Sequence, residues 1–193
     1  MRSVSTPWIV VDGLTDAIRV AGRHGGLLIV DLENTLVPYG SHAADRARAT
    51  AVAVDAAATS GVVRHLVFVT NARFTLPPVR DDRLRVTVVS RARKPHVRRG
   101  PLRHLRDELA GGAVYGDQPL TDGRLARNLH GVWLQPRHAH YGHVGEPWWP
   151  RLMRAVGTRF TGRWFGPPTP AVGSPTDPAA PRTPDPAPPA GPA

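Results

Sequence analysis

Apolar and β-branched residues in this chain gather in short runs rather than alternating steadily with polar ones. Leu27–Val30, His65–Val69, 84–89, Ala113–Tyr115 and 132–134 are the clearest. Such near-continuous runs predict strands covered on both faces, as in a parallel sheet with helices outside. Between them the spacing turns helical. Residues 16–22 predict a short helix, and an alanine-rich stretch from Ser41 or His42 to Thr59 predicts a longer one, with Ser41 as its N-cap and Gly61 closing it. Residues 101–110 place Leu102, Leu105 and Leu109 on one side and end at Gly111-Gly112, and residues 123–129 predict a further short helix. Segment 32–40, with Pro38 and Gly40, predicts a loop. Strands separated by helices or loops imply an α/β layered domain with a mostly parallel sheet. Such sheets bind ligands at the carboxyl ends of their strands. Asp31, Thr70, Lys94 and Asp117 all fall at or just past such ends.

After residue 136 the pattern changes twice. In 148–166, Trp149, Leu152, Met153, Val156, Phe160 and Trp164 recur at helical spacing among Arg151, Arg154, Arg159 and Arg163. An amphipathic helix of this kind suits either an anionic membrane surface or packing over the domain itself, and Gly157 and Gly162 weaken it. From Gly166 onward the chain holds 11 of its 21 prolines and almost no bulky apolar groups, which predicts a disordered or extended spacer. The expected organisation is a domain over 1–136, a basic aromatic extension over 137–165 and a tail over 166–193. His138, His140 and His143, near Tyr141, have zinc-ligand chemistry, but glycine and proline around them favour a solvent-facing loop.

Composition narrows the chemistry. The 193 residues carry a formal charge of +10 and contain no cysteine, which excludes disulfides, thiolate metal sites and a cysteine nucleophile. No signal-like core precedes Asp12, and no apolar run approaches the ~18 residues a membrane span requires, so a cytoplasmic protein is expected. The positive excess suits nucleic acid or anionic lipid. No nucleic-acid recognition motif accompanies it, which makes nucleic acid the weaker expectation. Among 25 lysines and arginines there is a single lysine, Lys94.

Asp31 and Glu33 can sit beside a phosphate only if a cation balances them, and Asp117 with Asp122 would complete an oxygen-only site suited to Mg²⁺. Lys94 can neutralise phosphate and nucleophile, and Thr70 can donate to a phosphoryl oxygen. An aspartate nucleophile would form an acyl-phosphate that water then hydrolyses.

The series Asp31-Leu32-Glu33-Asn34-Thr35-Leu36-Val37-Pro38-Tyr39, Val69-Thr70-Asn71-Ala72, Ala92-Arg93-Lys94-Pro95 and Gly116-Asp117-Gln118-Pro119-Leu120-Thr121-Asp122-Gly123 resembles the four motifs of the haloacid dehalogenase superfamily. More narrowly it is similar to the YqeG-like phosphatases, which include phosphatidylglycerophosphate phosphatases. The resemblance covers residues 6–136. It implies a Rossmannoid three-layer sandwich, without a large cap domain because the insert after Asp31 is short. It implies Asp31 as nucleophile and magnesium ligand, Thr70 and Lys94 holding the phosphoryl group, and Asp117, Asp122 and the backbone carbonyl of Glu33 completing the metal site. Asn34 and Thr35 would shape the loop, and Asn71 would orient the substrate. The family usually has Asp where this chain has Glu33, the general acid and base, so the same chemistry acts here from a longer side chain. The implied activity is magnesium-dependent release of phosphate, with phosphatidylglycerophosphate as substrate. A small soluble phosphate ester as substrate, and a catalytically silent binding protein, are the alternatives.

Overall fold

The computed structural model describes residues 6–72, 82–139 and 148–170. Seven strands, β1 (Trp8–Val11), β2 (Leu27–Val30), β3 (His65–Val69), β4 (Arg85–Val89), β5 (Ala113–Tyr115), β6 (Val132–Pro136) and β7 (Thr169–Pro170), form one sheet in the order β4-β3-β2-β5-β6-β1-β7. Every pairing is parallel. The chain runs outward from β2 to β3 and β4, then returns to β2's other side with β5. Strand order therefore reverses at β2, where open α/β sheets leave a crevice.

Among the described residues five α-helices accompany the sheet: α1 (Leu14–Arg23), α2 (Ala43–Ser60), α3 (Arg106–Leu109), α4 (Arg124–Asn128) and α5 (Trp148–Phe165). Strand residues alternate between two buried layers, which explains the near-continuous apolar runs. Leu28, Val30, Leu66, Phe68, Ala113, Tyr115 and Leu134 pack with Ala17 and Ile18 of α1 and Ala53, Val54 and Ala57 of α2. Ile29, Val67, Val114 and Trp133 face the other way, onto Leu102, Leu109, Leu125 and Phe165. The result is an α/β sandwich with a parallel sheet and helices on both faces.

Several boundaries differ from expectation. Ser41 does not cap α2: its hydroxyl donates to the Pro38 carbonyl at 2.7 Å, and His42 holds the cap position without a side-chain bond. Gly61 does end the helix, in a left-handed conformation with φ 64°. The single helix expected over 101–110 is a 3₁₀ turn, Pro101–His104, followed by α3, and a π-helical turn, Pro119–Gly123, leads into α4. β1 was not anticipated, although Trp8 stacks on Trp133 at 5.5 Å and donates to Gln135 at 3.0 Å. Nor was β7, whose Thr169 pairs with Ile9 within the stretch expected to be a spacer.

α5 lies on the domain through a face of its own. Gly157 allows close approach, since a Cβ there would stand 3.3 Å from Leu120 and Pro119, and Phe165 meets Trp133 at 5.0 Å. The glycine that lowers helix propensity is thus where the helix touches the domain. Trp148, Leu152, Val156 and Phe160, four apart along the helix, remain exposed.

Candidate active site

Parallel strands place all their carboxyl ends on one edge, so residues distant in sequence meet there. Asp31 follows β2, and its N–H donates to the Tyr115 carbonyl of β5 at 2.9 Å. Asp117 comes two residues after β5, and Asp122 lies in the π-helical turn beyond it. Gly116 makes this return possible: a Cβ there would stand 2.5 Å from the Asp122 carboxyl carbon. Asp31, Asp117 and Asp122 each present a carboxylate oxygen within 4.8 Å of the others.

Lys94, in the loop after β4, reaches into this cluster. Its Nζ lies 2.7 Å from Asp31 Oδ1 and 2.6 Å from Asp122 Oδ1, with the side chain 3% exposed. Asn71 fixes the loop by accepting the Lys94 backbone N–H at 2.8 Å. Thr35 donates to Asp117 Oδ1 at 3.5 Å, and Asp122 Oδ2 accepts the Gln118 N–H at 3.1 Å. Thr70 is buried at the end of β3, and its hydroxyl oxygen accepts the Ala72 N–H at 3.0 Å.

The electrostatics follow from burial. Desolvation pushes the Asp31 carboxyl up to about 7, against the pull of Lys94. Asp117 is also raised well above its ordinary value, by burial first and then by Asp122 and Asp31, with Lys94 and Arg154 of α5 opposing. Lys94 is held protonated above its ordinary range because Asp122 and Asp31 together outweigh its burial. Once ionised, the three carboxylates outnumber the Lys94 ammonium between them, and oxygen-only donors suit a hard divalent cation. The cluster therefore fits a metal such as Mg²⁺, which Asp31, Asp117 and Asp122 would hold.

A small pocket of about 60 Å³ opens beside the cluster, lined by Asp31, Glu33, Asn34, Asn71 and Lys94 together with Tyr39, Gln118 and Thr121. The first five are sequence-expected site residues; the last three are not. Glu33 is partly buried, 3.6 Å from Arg46, and its carboxyl is raised chiefly by desolvation, against Arg46 and Lys94. Asn34, at φ 63°, accepts the Tyr39 N–H at 3.2 Å and bends the loop so that Glu33 bridges Val37. Thr35 and Thr70 are not among the residues lining the pocket. Tyr39, Gln118 and Thr121 carry no charge that would single them out, and Arg154 lies outside the resembling region. Of the histidine cluster, only His138 belongs to the described residues.

No protein-family model, no curated protein and no solved structure matches the chain. Fold and site define an α/β protein with a buried carboxylate cluster able to coordinate a cation, an arrangement compatible with hydrolysis. Among the described residues no helix is long and apolar enough to cross a membrane.

Proposed function

We propose that this protein is a magnesium-dependent phosphatase of the haloacid dehalogenase type, acting on phosphatidylglycerophosphate. The observation that carries the reading is the lone lysine buried between Asp31 and Asp122 at the mouth of a pocket that also holds Glu33. Asp31 attacks phosphorus while the bond to the leaving alcohol oxygen breaks, and Glu33, whose carboxyl burial raises above its ordinary value, delivers a proton to that oxygen. Glu33, now ionised, takes a proton from water, which attacks the acyl-phosphate and regenerates Asp31. Lys94 offsets negative charge on the transferring group throughout. Bound Mg²⁺ would supply electrostatic stabilisation of the phosphoryl oxygens. Asn71 positions Lys94 through the loop, and Thr35 steadies Asp117. Thr70 would donate to the phosphoryl group, Asn34 would shape the pocket, and the carbonyl of Glu33 would join the metal's ligands.

Two features support a lipid substrate. A pocket of about 60 Å³ holds little beyond a phosphoryl group, so the rest of the substrate lies outside the protein. α5, which packs beside the turn carrying Asp122, exposes Trp148, Leu152, Val156 and Phe160 alongside Arg151, Arg159 and Arg163. That face suits peripheral attachment to the anionic cytoplasmic side of a membrane. Phosphate release from phosphatidylglycerophosphate in mixed micelles, with Mg²⁺, tests the reading against sugar, nucleotide and protein phosphates. Preference for the lipid, lowered by Leu152→Asp with Phe160→Asp, is expected; equal or better turnover of soluble esters rejects the lipid assignment. A folded chain that releases phosphate from none of them is a binding protein.

A further inference from the structure

A second concavity, of about 570 Å³, is opposite in character to the carboxylate pocket and shares no lining residue with it. Its walls come from three segments. The loop after Lys94-Pro95 supplies His96, Arg98 and Arg99, the start of α3 supplies Arg106, and the end of α4 supplies Arg127, with His130 just beyond. Each segment is anchored by a buried apolar neighbour: Val97, Leu109 and Leu129 respectively. Asn128 ties two of the segments together by donating to the Pro95 carbonyl at 2.8 Å.

No carboxylate lines this concavity, and among the described residues none of its four guanidiniums makes an ion pair. Glu108, on α3 beside Arg106, is engaged by Arg85 at 2.7 Å and His65 at 3.2 Å. Converging cations with no counter-charge repel one another, and an anion spanning them relieves that repulsion. The guanidinium fork matches phosphate oxygens two at a time. The volume falls in the range of small-molecule sites, ~300–1,000 Å³, and is roughly ten times that of the carboxylate pocket. Val97 is the one aliphatic side chain in the lining, so there is little wall for an acyl chain.

His130 adds a conformational argument. It sits at φ 55°, a left-handed position after α4 that glycine fills at lower cost. The next position is already glycine by necessity, since a Cβ on Gly131 would lie 1.9 Å from the Gly112 carbonyl oxygen. A histidine therefore occupies a strained position at which its side chain lines the arginine concavity.

We infer that this concavity is a binding site for a small oligophosphate, a ligand carrying two or more linked phosphates. The test is calorimetric titration of the full chain with inorganic triphosphate in EDTA. One saturable site per chain is expected. Arg98→Gln with Arg127→Gln lowers its affinity about tenfold or more at an unchanged unfolding temperature, because both side chains are exposed. His130→Gly weakens binding several-fold while holding or raising the unfolding temperature. Arg103→Gln with Arg159→Gln removes the same charge elsewhere and leaves affinity within about twofold.

Absence of saturable binding, or equal losses in the two double variants, overturns the inference. Orthophosphate binding as tightly as triphosphate overturns the requirement for linked phosphates. If a short oligothymidine, or vesicles of phosphatidylcholine with phosphatidylglycerol, binds through Arg98 and Arg127 without competition from triphosphate, the site is a macromolecular contact and the inference fails.

Discussion

Lys94 lines the carboxylate pocket, and His96, two residues on, lines the arginine concavity. The neighbouring sites treat charge in opposite ways. In the first, three carboxylates and one ammonium are withdrawn from water, and burial with the neighbouring charges sets the protonation of Asp31, Asp117 and Lys94. Asp31 is moved up to about 7, and Lys94 is held charged. In the second, three of the four arginines stand in solvent, which screens them. Cavity size would rank the arginine site first. Burial of chemistry-bearing groups points to the smaller one, because only desolvated charge is tuned far from its solution behaviour.

The largest expected effect falls on the buried site. On the proposed chemistry, Asp31→Asn removes the nucleophile and lowers phosphate release by at least ~10³-fold. Its amide is nearly the same shape, so the fold remains and circular dichroism separates lost chemistry from lost structure. Undiminished turnover would reassign the nucleophile. An equal fall for a variant of the arginine concavity would erase the distinction between the two sites.

Next in size is a stability effect. Lys94→Met takes away the ammonium that Asp31 and Asp122 share, leaving both carboxylates without their ion-pair partner. Loss of one partner from such a cluster costs about 3–5 kcal/mol. The cost grows as pH rises and Asp31 ionises, and shrinks as its protonation replaces the missing charge; without Lys94, which holds that carboxyl down, the change falls at a pH above the wild type's value of about 7. Urea unfolding in EDTA and again in Mg²⁺ reads both parts: a lower midpoint in EDTA, and partial recovery with the metal. An unchanged midpoint in EDTA would mean that the ammonium contributes no net stability. Lys94→Arg keeps the charge but forces a planar fork into a space 3% exposed, so it does not restore activity.

Five strands were legible in the sequence as runs nearly continuous in apolar and β-branched residues, four because both their faces are covered and the edge strand β4 although it is largely exposed. Asp31 and Asp117 were legible because each stands just beyond such a run. β1 was not: Trp8–Val11 is four residues between Pro7 and Asp12-Gly13, and what makes it a strand is Trp133, 125 positions away. Pairing of that kind leaves no local periodicity. The same applies to the arginine concavity, whose walls are scattered from residue 96 to residue 130 and become one surface only when α3, α4 and the Lys94 loop converge. Thr35 could be placed in the right loop from sequence, but its bond to Asp117 depends on two strand ends meeting.

His65 lies between the two regimes and gives the smallest effect. On β3, partly buried, it faces Thr87 at 2.9 Å and Glu108 at 3.2 Å, with Arg85 of β4 close by. Burial and Arg85 lower its imidazole below the ordinary 6.5, outweighing Glu108. The unfolded chain therefore binds a proton here more readily than the native one. The stability this confers is fully present above pH 6.5 and is lost as pH falls through the lower native value. His65→Gln keeps a polar partner for Thr87 but does not titrate. From pH above 7 down to 5, the unfolding midpoint of the wild type is expected to fall further than that of the variant. Parallel declines would show that partial burial does not tune His65.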